Sequence, residues 1–170
     1  LQAAVLNVKL PRLNQWVERR RTIAQRYREA LQDVPGLLLP DASAGHGHGW
    51  NQFVVRVTVC PNDASSSATH SPGEFGLPSS HCRDWLKQSL QEQGVNTIIY
   101  YPIPIHRQPA YAEQQRNSSL PVTEQLCSEV LSLPIFPELT NEQQEQVISV
   151  LRSLLIQNAP LKSQTCSVAA

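Results

Sequence analysis

The most unusual stretch of the chain is IIYYPIPIHRQPAY, which runs from Ile98 to Tyr111. It places three prolines and three tyrosines around a single histidine, His106. Proline fixes φ, lacks a backbone donor and pushes the preceding residue towards extended conformations. We therefore expect a buried strand over Val95–Tyr101 to continue into a stiff, nearly extended loop. Apolar and aromatic side chains beside a titratable imidazole suit a small-molecule pocket, and the alternative is a proline-rich turn with a surface histidine.

Length and charge limit the class of protein. At 170 residues the chain corresponds to one domain, which can bury about two-thirds of its unfolded surface. Fourteen basic residues balance fourteen acidic ones, which argues against nucleic acid or an anionic membrane as a partner. No apolar run approaches the roughly 20 residues that span a bilayer, and no secretory signal is present, so we expect a soluble, cytoplasmic protein. Because the chain opens with Leu1 and contains no methionine, we expect a piece of a longer protein.

Neither the cysteines nor the histidines show the spacing of a metal site. The four cysteines lie far apart and outside any Cys-x-x-Cys pattern, so we expect free thiols at Cys60, Cys82, Cys127 and Cys166. His46 and His48 alternate within a glycine-rich loop, but no further ligand is evident nearby. A solvated loop is the expected structure there.

Hydrophobic periodicity predicts helices before and after the central stretch. Leu1–Leu10 forms a helix that Pro11 interrupts, and Arg12–Asp33 forms a long amphipathic helix. A third helix covers Arg83–Gln93, and Gly94 is placed for a left-handed C-terminal cap. Two further helices are expected from sequence signals at their starts, one with Pro121 in its first turn and one capped by Thr140 and Gln143 that runs to about Gln157.

Two segments are predicted to be strands. Trp50–Cys60 is rich in β-branched and aromatic residues, and its apolar character predicts burial on both faces. Asn51 and Gln52 at its start either cap the strand or face a site. Leu131–Pro137 is predicted to be an edge strand because it contains prolines.

Several stretches, in order along the chain, resemble the DegT/StrS family of pyridoxal-phosphate-dependent nucleotide-sugar aminotransferases. The similarity covers Leu1 to about Leu155, apart from an insertion at residues 61–81 and a tail at residues 158–170. The matching segments are Leu1–Leu6, Lys9–Leu13, Trp16–Tyr27, Asn51-Gln52-Phe53 with Arg56, Tyr101-Pro102-Ile103-Pro104-Ile105-His106 with Pro109 and Tyr111, Leu120–Glu124 and Leu131–Pro137.

The resemblance implies an α/β fold, the C-terminal small domain of a fold-type-I, aspartate-aminotransferase-like enzyme. A short sheet with packed helices would span residues 34–157, and residues 1–33 would connect it to a large domain before Leu1. The implied reaction moves an amino group from an amino acid, commonly glutamate, to a nucleotide-linked keto-sugar. Such chemistry serves polysaccharide or secondary-metabolite biosynthesis, and the implied assembly is a homodimer with active sites between subunits.

The resemblance also implies which residues contact the substrate. Asn51, Gln52, Tyr101, His106 and Tyr111 would lie at the rim of the active-site cleft, against the sugar or the nucleotide. Their alternative roles are strand capping for the two amides, core packing for the two tyrosines and a solvated loop position for the histidine. Many family members carry a second histidine where this chain has tyrosine at position 100.

The family's Schiff-base lysine and phosphate-binding segments belong to the large domain. Lys9, Lys87 and Lys162 do not match the lysine position, so we expect no catalytic or cofactor-binding residue in this chain. Pyridoxal phosphate would be bound mainly by the large domain, and the chain alone would be inactive. The alternative function is a non-catalytic interaction module, or a decayed fragment, whose helix Arg12–Asp33 and final helix bind a partner.

Overall fold

A computed structural model describes residues 1–42, 47–59, 81–111 and 118–157. The helices are α1 (Gln2–Lys9), α2 (Leu13–Leu31), α3 (His81–Glu92), α4 (Pro121–Glu129) and α5 (Asn141–Gln157). The strands are β1 (Leu37–Leu38), β2 (Phe53–Val57) and β3 (Val130–Leu133), and short 3-10 turns cover Leu10–Arg12, Ile105–Arg107 and Pro109–Tyr111. Residues 61–80 of the predicted insertion and the predicted tail lie outside the described residues.

The helix boundaries follow the local sequence signals. A 3-10 turn at Pro11 separates α1 from α2, as the missing donor of proline requires. Thr140 and Gln143 form a reciprocal capping box at the start of α5, with Gln143 N donating to Thr140 Oγ1 at 3.2 Å and Thr140 N donating to Gln143 Oε1 at 3.0 Å. After α3, Gly94 adopts a positive φ of 77°, which confirms the predicted left-handed cap.

The sheet is short and antiparallel, with the strand order β1-β2-β3. Leu37 pairs with Val57, and Phe53 pairs with Leu133. Along β2 buried residues alternate with partly exposed ones, so the predicted burial on both faces is wrong. On the face of β2 that carries Val54 and Arg56, the side chains are only partly buried.

The strand predicted over Val95–Tyr101 is reduced to a single bridge between Ile98 and Ser132. Two hydrogen bonds form it, with Ile98 N donating to Ser132 O at 3.1 Å and Ser132 N donating to Ile98 O at 2.9 Å. On one side the next pairing would need an N–H from Pro134, which proline lacks. On the other side the N–H of Val130 already donates to Leu126 O at the end of α4. The ladder therefore stops in both directions.

The core lies between the sheet and helices α2, α3 and α5. Tyr27 of α2 is fully buried, its ring centroid lies 5.1 Å from that of Phe53, and its hydroxyl donates to Pro134 O at 3.0 Å. Gln144 of α5 is also buried and donates to Ile23 O at 2.8 Å. These two polar contacts fix α2 against the end of β3 and against α5.

Helix α1 contrasts with the rest of the molecule because none of its residues is buried. The second half of α2, by comparison, contributes Ile23, Ala24, Tyr27 and Leu31 to the core. The predicted division at residue 33 stays a prediction. Within the described ranges, no helix has the length and apolar character needed to cross a membrane.

Candidate functional site

A cavity of about 450 Å³ opens at the end of the sheet where β2 begins and β3 ends. One wall is the segment 94–100, which contains the Ile98 bridge. Further lining residues come from the first half of α5 and from the segment that follows β3. The polar residues that line it are Asn51, Gln52, Asn96, Ser132, Gln143 and Gln146, and the larger apolar ones are Ile98, Tyr100, Leu133, Ile135, Phe136 and Leu139.

A tight turn before β2 presents Asn51 and Gln52 to this cavity. Trp50 adopts a φ of 46°, in the left-handed region that costs a non-glycine residue about 1–2 kcal/mol. The turn is held by a hydrogen bond from Trp50 N to His48 Nδ1 at 3.0 Å. The Trp50 side chain is buried, with its ring centroid 5.7 Å from that of Phe53. Since the indole is anchored in the core, the two amides that follow are placed at the cavity.

Three carboxamides of the cavity have no hydrogen-bond partner among the described residues. These are the side chains of Asn51, Gln52 and Asn96. The other two are already engaged, because Gln143 belongs to the capping box and Gln146 Nε2 lies 3.5 Å from Gln93 O. An unpaired carboxamide offers two N–H donors and a carbonyl acceptor. The cavity can therefore both donate to and accept from a ligand.

The cavity also has an apolar, aromatic side and carries no formal charge. Ile98, Tyr100 and Phe136 line it with side chains that are 51%, 48% and 43% exposed. Among the lining residues that the structure describes, no lysine, arginine, histidine, aspartate or glutamate occurs. This combination resembles ligand pockets in which a few polar groups orient a ligand against apolar walls.

The structure brings together two of the five predicted site residues, Asn51 and Gln52, at the cavity. Tyr101, His106 and Tyr111 are not among the residues that line it. Tyr101 is 68% exposed and Tyr111 is 45% exposed, so the alternative of core packing is wrong for both tyrosines. The substrate contacts predicted for these three residues stay predictions.

His106 is buried, so the alternative of a surface histidine is also wrong. Its Nε2 lies 2.8 Å from Glu124 Oε1, and the same oxygen accepts from Arg107 Nη2 at 3.1 Å and from Leu120 N at 3.3 Å. These hydrogen bonds, chiefly the one from His106, hold the pKa of Glu124 below its ordinary value. The contact joins the proline-rich loop to the start of α4.

The sequence interpretation did not single out Glu124, Asn96 or Phe136, and it noted Tyr100 only as standing where many family members carry a histidine. Glu124 stood within the quoted Leu120–Glu124 segment, but only the folded chain brings it to His106. Asn96 and Phe136 are separated by 40 positions along the chain and meet at the cavity through the bridge beside β3. Sequence spacing carries no signal for such a meeting, whereas Asn51 and Gln52 stood out as polar residues at the start of an apolar strand.

The cavity does not fit pyridoxal phosphate. Lys9 lies exposed on α1 and Lys87 lies on α3, and neither lines the cavity. The cavity also offers the cofactor's phosphate no cationic side chain. Lys162 lies outside the described residues. In the same ranges, no group of three or more potential ligands could hold a metal ion.

Comparison with known proteins identifies the class. The family model for the DegT/DnrJ/EryC1/StrS aminotransferase family matches residues 1–152. The chain therefore belongs to this aminotransferase family, as the sequence motifs predicted. The observed short sheet with packed helices agrees with the predicted α/β fold, which forms part of the solved structures of relatives.

Three individual relatives show how much of the family fold the chain represents. It is 42% identical to the erythromycin biosynthesis sensory transduction protein EryC1 of Saccharopolyspora erythraea, over 90% of this chain and 36% of that protein. It is 37% identical to the dTDP-3-amino-3,6-dideoxy-alpha-D-galactopyranose transaminase of Aneurinibacillus thermoaerophilus, over 89% and 35%. The crystal structure of S. venezuelae DesV in complex with a ketimine intermediate matches with a TM-score of 0.71 and 34% identity, over 89% and 35%. The chain spans about a third of the length of these relatives.

Proposed function

We propose that this chain acts as part of a pyridoxal-phosphate-dependent aminotransferase that aminates a nucleotide-linked keto-sugar. The observation that carries the proposal is the family match over residues 1–152. A relative that is 37% identical and is named as a dTDP-sugar transaminase supports the sugar substrate. The amino group would come from an amino acid, for which glutamate is the proposed donor, and the product would serve polysaccharide or secondary-metabolite biosynthesis.

Within that enzyme the chain supplies substrate contacts rather than the catalytic group. The unpaired amides of Asn51 and Gln52 face a cavity, which supports their role in contacting the sugar or the nucleotide. The described residues provide neither a lysine nor a phosphate site at that cavity, so no catalytic step is assigned to them. The cofactor would be held by a region of the enzyme that this chain does not supply.

The proposed assembly is a homodimer. Helix α1 leaves its large apolar side chains uncovered in the isolated chain, including Leu6 at 65% and Val8 at 75% exposure. Exposed apolar surface of this kind marks a contact with another protein surface. In the proposed enzyme, α1 would be covered by the remainder of the aminotransferase or by a second subunit.

The deciding experiment uses the chain together with its natural upstream sequence. We expect this longer protein to show the absorption band of lysine-bound pyridoxal phosphate, and we expect glutamate to convert that band to the amine form of the cofactor. The isolated 170-residue chain is the matched control, in which borohydride should fix no cofactor to any lysine. Absence of the band from the longer protein would contradict the proposal. Covalent attachment of the cofactor to the isolated chain would contradict the view that this chain supplies substrate contacts but no catalytic lysine.

The second candidate function is a non-catalytic interaction module. The uncovered apolar residues of α1 are consistent with this role as well as with the enzyme, because a separate partner protein would cover them equally well. The upstream reading frame separates the two candidates. A lysine-bearing aminotransferase segment in the same frame supports the enzyme, whereas a true start codon at the boundary, immediately before the codon for Leu1, supports the module or a decayed gene.

A further inference from the structure

We propose that the cavity beside Asn51 and Asn96 binds an uncharged ring that carries hydrogen-bonding groups, and that it excludes phosphate. The inference rests on the proposed function, and it states which part of the proposed nucleotide-sugar substrate this cavity would hold. In a nucleotide-linked sugar, an uncharged ring is either the sugar or the nucleobase. The phosphates between them would lie outside this cavity.

The first argument comes from the unpaired amides. Asn51, Gln52 and Asn96 approach one cavity from two segments, and none of their side chains has a hydrogen-bond partner among the described residues. A carboxamide both donates and accepts, which matches sugar hydroxyls and the edges of nucleobases. A phosphate oxygen only accepts, so it would leave the three amide carbonyls unpaired.

The second argument comes from charge. The cavity lining contains no cationic side chain in the described part of the chain, and burying a phosphate without one would be costly. The nearby start of α5 does not replace such a cation. Its Gln143 N–H already donates to Thr140 Oγ1, and Glu142 places a negative charge in the first turn. Both features disfavour a phosphate at this helix end.

The third argument comes from the aromatic wall. Tyr100 and Phe136 line the cavity and are 48% and 43% exposed, so aromatic surface remains accessible to a ligand there. The flat face of a nucleobase or the apolar face of a sugar packs well on such side chains. Amides and open aromatic surfaces therefore occur together in one concave site.

The test is an NMR titration of the ¹⁵N-labelled 170-residue chain with four probes. Uridine and thymidine represent the nucleobase, methyl glucopyranoside represents the sugar, and inorganic pyrophosphate represents the charged group. We expect saturable shifts of the Asn51 and Asn96 side-chain amides with a nucleoside or with the glycoside, and none with pyrophosphate. A response to nucleosides alone would identify the nucleobase as the group that occupies the cavity, and a response to the glycoside alone would identify the sugar.

Two substitutions make the test specific. Asn51→Leu and Asn96→Leu keep side-chain size while removing the amide, and each should weaken binding of the responding probe by about tenfold. Asn7→Leu on α1 is the matched control, because Asn7 is an exposed asparagine that does not line the cavity. This variant should bind the responding probe with the affinity of the wild type. Circular dichroism checks folding, and Asn51→Ala and Asn96→Ala provide smaller replacements if a leucine variant unfolds.

The inference is overturned if pyrophosphate shifts the same amides, if neither the nucleosides nor the glycoside binds, or if Asn7→Leu weakens binding as much as Asn51→Leu. Its failure is separate from failure of the proposed function. If the longer protein transaminates a nucleotide-sugar while the cavity amides respond to none of the probes, the proposed function holds and only the assignment of this site fails.

Discussion

Glu124 is the residue whose electrostatics are most sharply defined, since its Oε1 accepts hydrogen bonds from His106, from two nitrogens of Arg107 and from Leu120 N. Charge-assisted hydrogen bonds of this kind favour the ionised carboxylate. They explain why the folded pKa lies below the ordinary value of 4.5, with the His106 contact as the largest cause. The same contacts attach the proline-rich loop to α4.

This depressed pKa predicts a pH-dependent contribution to stability. The contribution is fully present above the pKa that Glu124 has in the unfolded chain, and it is lost as pH falls through the lower folded pKa. We expect the free energy of unfolding to decrease more steeply on acidification in the wild type than in Glu124→Gln. Urea unfolding followed by tryptophan fluorescence over a pH series measures this difference.

The variant Glu124→Gln should also be less stable than the wild type at neutral pH, because a neutral amide is a weaker partner for His106 and Arg107. Glu138→Gln is the matched control, since Glu138 is exposed and has no ion-pair partner among the described residues. Equal pH slopes for wild type and Glu124→Gln would contradict the role assigned to this carboxylate.

Two glycines with positive φ give a second prediction at the residue scale. Gly94 has a φ of 77° but space for a methyl group, as an added Cβ would lie 3.8 Å from Gln146 Nε2. Gly36 has a φ of 75°, and an added Cβ would lie 2.7 Å from Val59 Cβ. Gly94→Ala should cost about 1–2 kcal/mol of unfolding free energy from backbone strain alone. Gly36→Ala should cost more, which thermal or urea unfolding will test; the reverse order would contradict the steric argument.

At the scale of elements, α2 is joined to the end of β3 by a contact between core and cavity. The buried Tyr27 hydroxyl donates to the carbonyl of Pro134, a residue that lines the cavity. Desolvation raises the pKa of Tyr27, so the phenol stays protonated and keeps donating throughout the physiological range. The contact therefore helps position the segment after β3.

Tyr27→Phe removes that donor while conserving the ring that packs on Phe53. We expect a loss of about 0.5–1.5 kcal/mol in unfolding free energy, as for a typical buried hydrogen bond. We also expect shifts in the NMR signals of Leu133 and Ile135 on either side of Pro134. Tyr111→Phe is the control, since Tyr111 is exposed and contacts neither the core nor the cavity. Unchanged signals around Pro134 would show that the hydroxyl does not position this segment.

At the scale of the whole molecule, stability is concentrated in one core and α1 stands outside it. Leu31 and Leu131 are fully buried, whereas no residue of α1 is. Deletion of residues 1–9 should therefore leave the melting temperature nearly unchanged. Leu31→Ala, which opens a cavity in the core, should cost about 2–5 kcal/mol. Differential scanning calorimetry compares the two, and a large loss on deleting α1 would show that this helix packs on the folded chain in solution.

The sequence by itself determined most of the helices and several of their ends. Periodic apolar residues marked α2, α3 and α5, Pro11 divided α1 from α2, and Gly94 ended α3. These features depend on neighbours within one or two turns, so the local sequence contains the whole physical cause. The family also followed from the sequence, because its motifs occur in a fixed order along the chain.

Only the tertiary structure decided how far the pairing at Ile98 extends. The pairing depends on which N–H groups in and after β3 are free to bond with the segment around Ile98. The tertiary structure also decided the environment of His106. The sequence left a surface position open for this histidine, but the fold buries it and places Glu124 beside its ring. The cavity has the same origin. Asn51, Asn96 and Phe136 meet there through strand pairing and packing between distant segments, and such long-range contacts leave no periodic signal in the sequence.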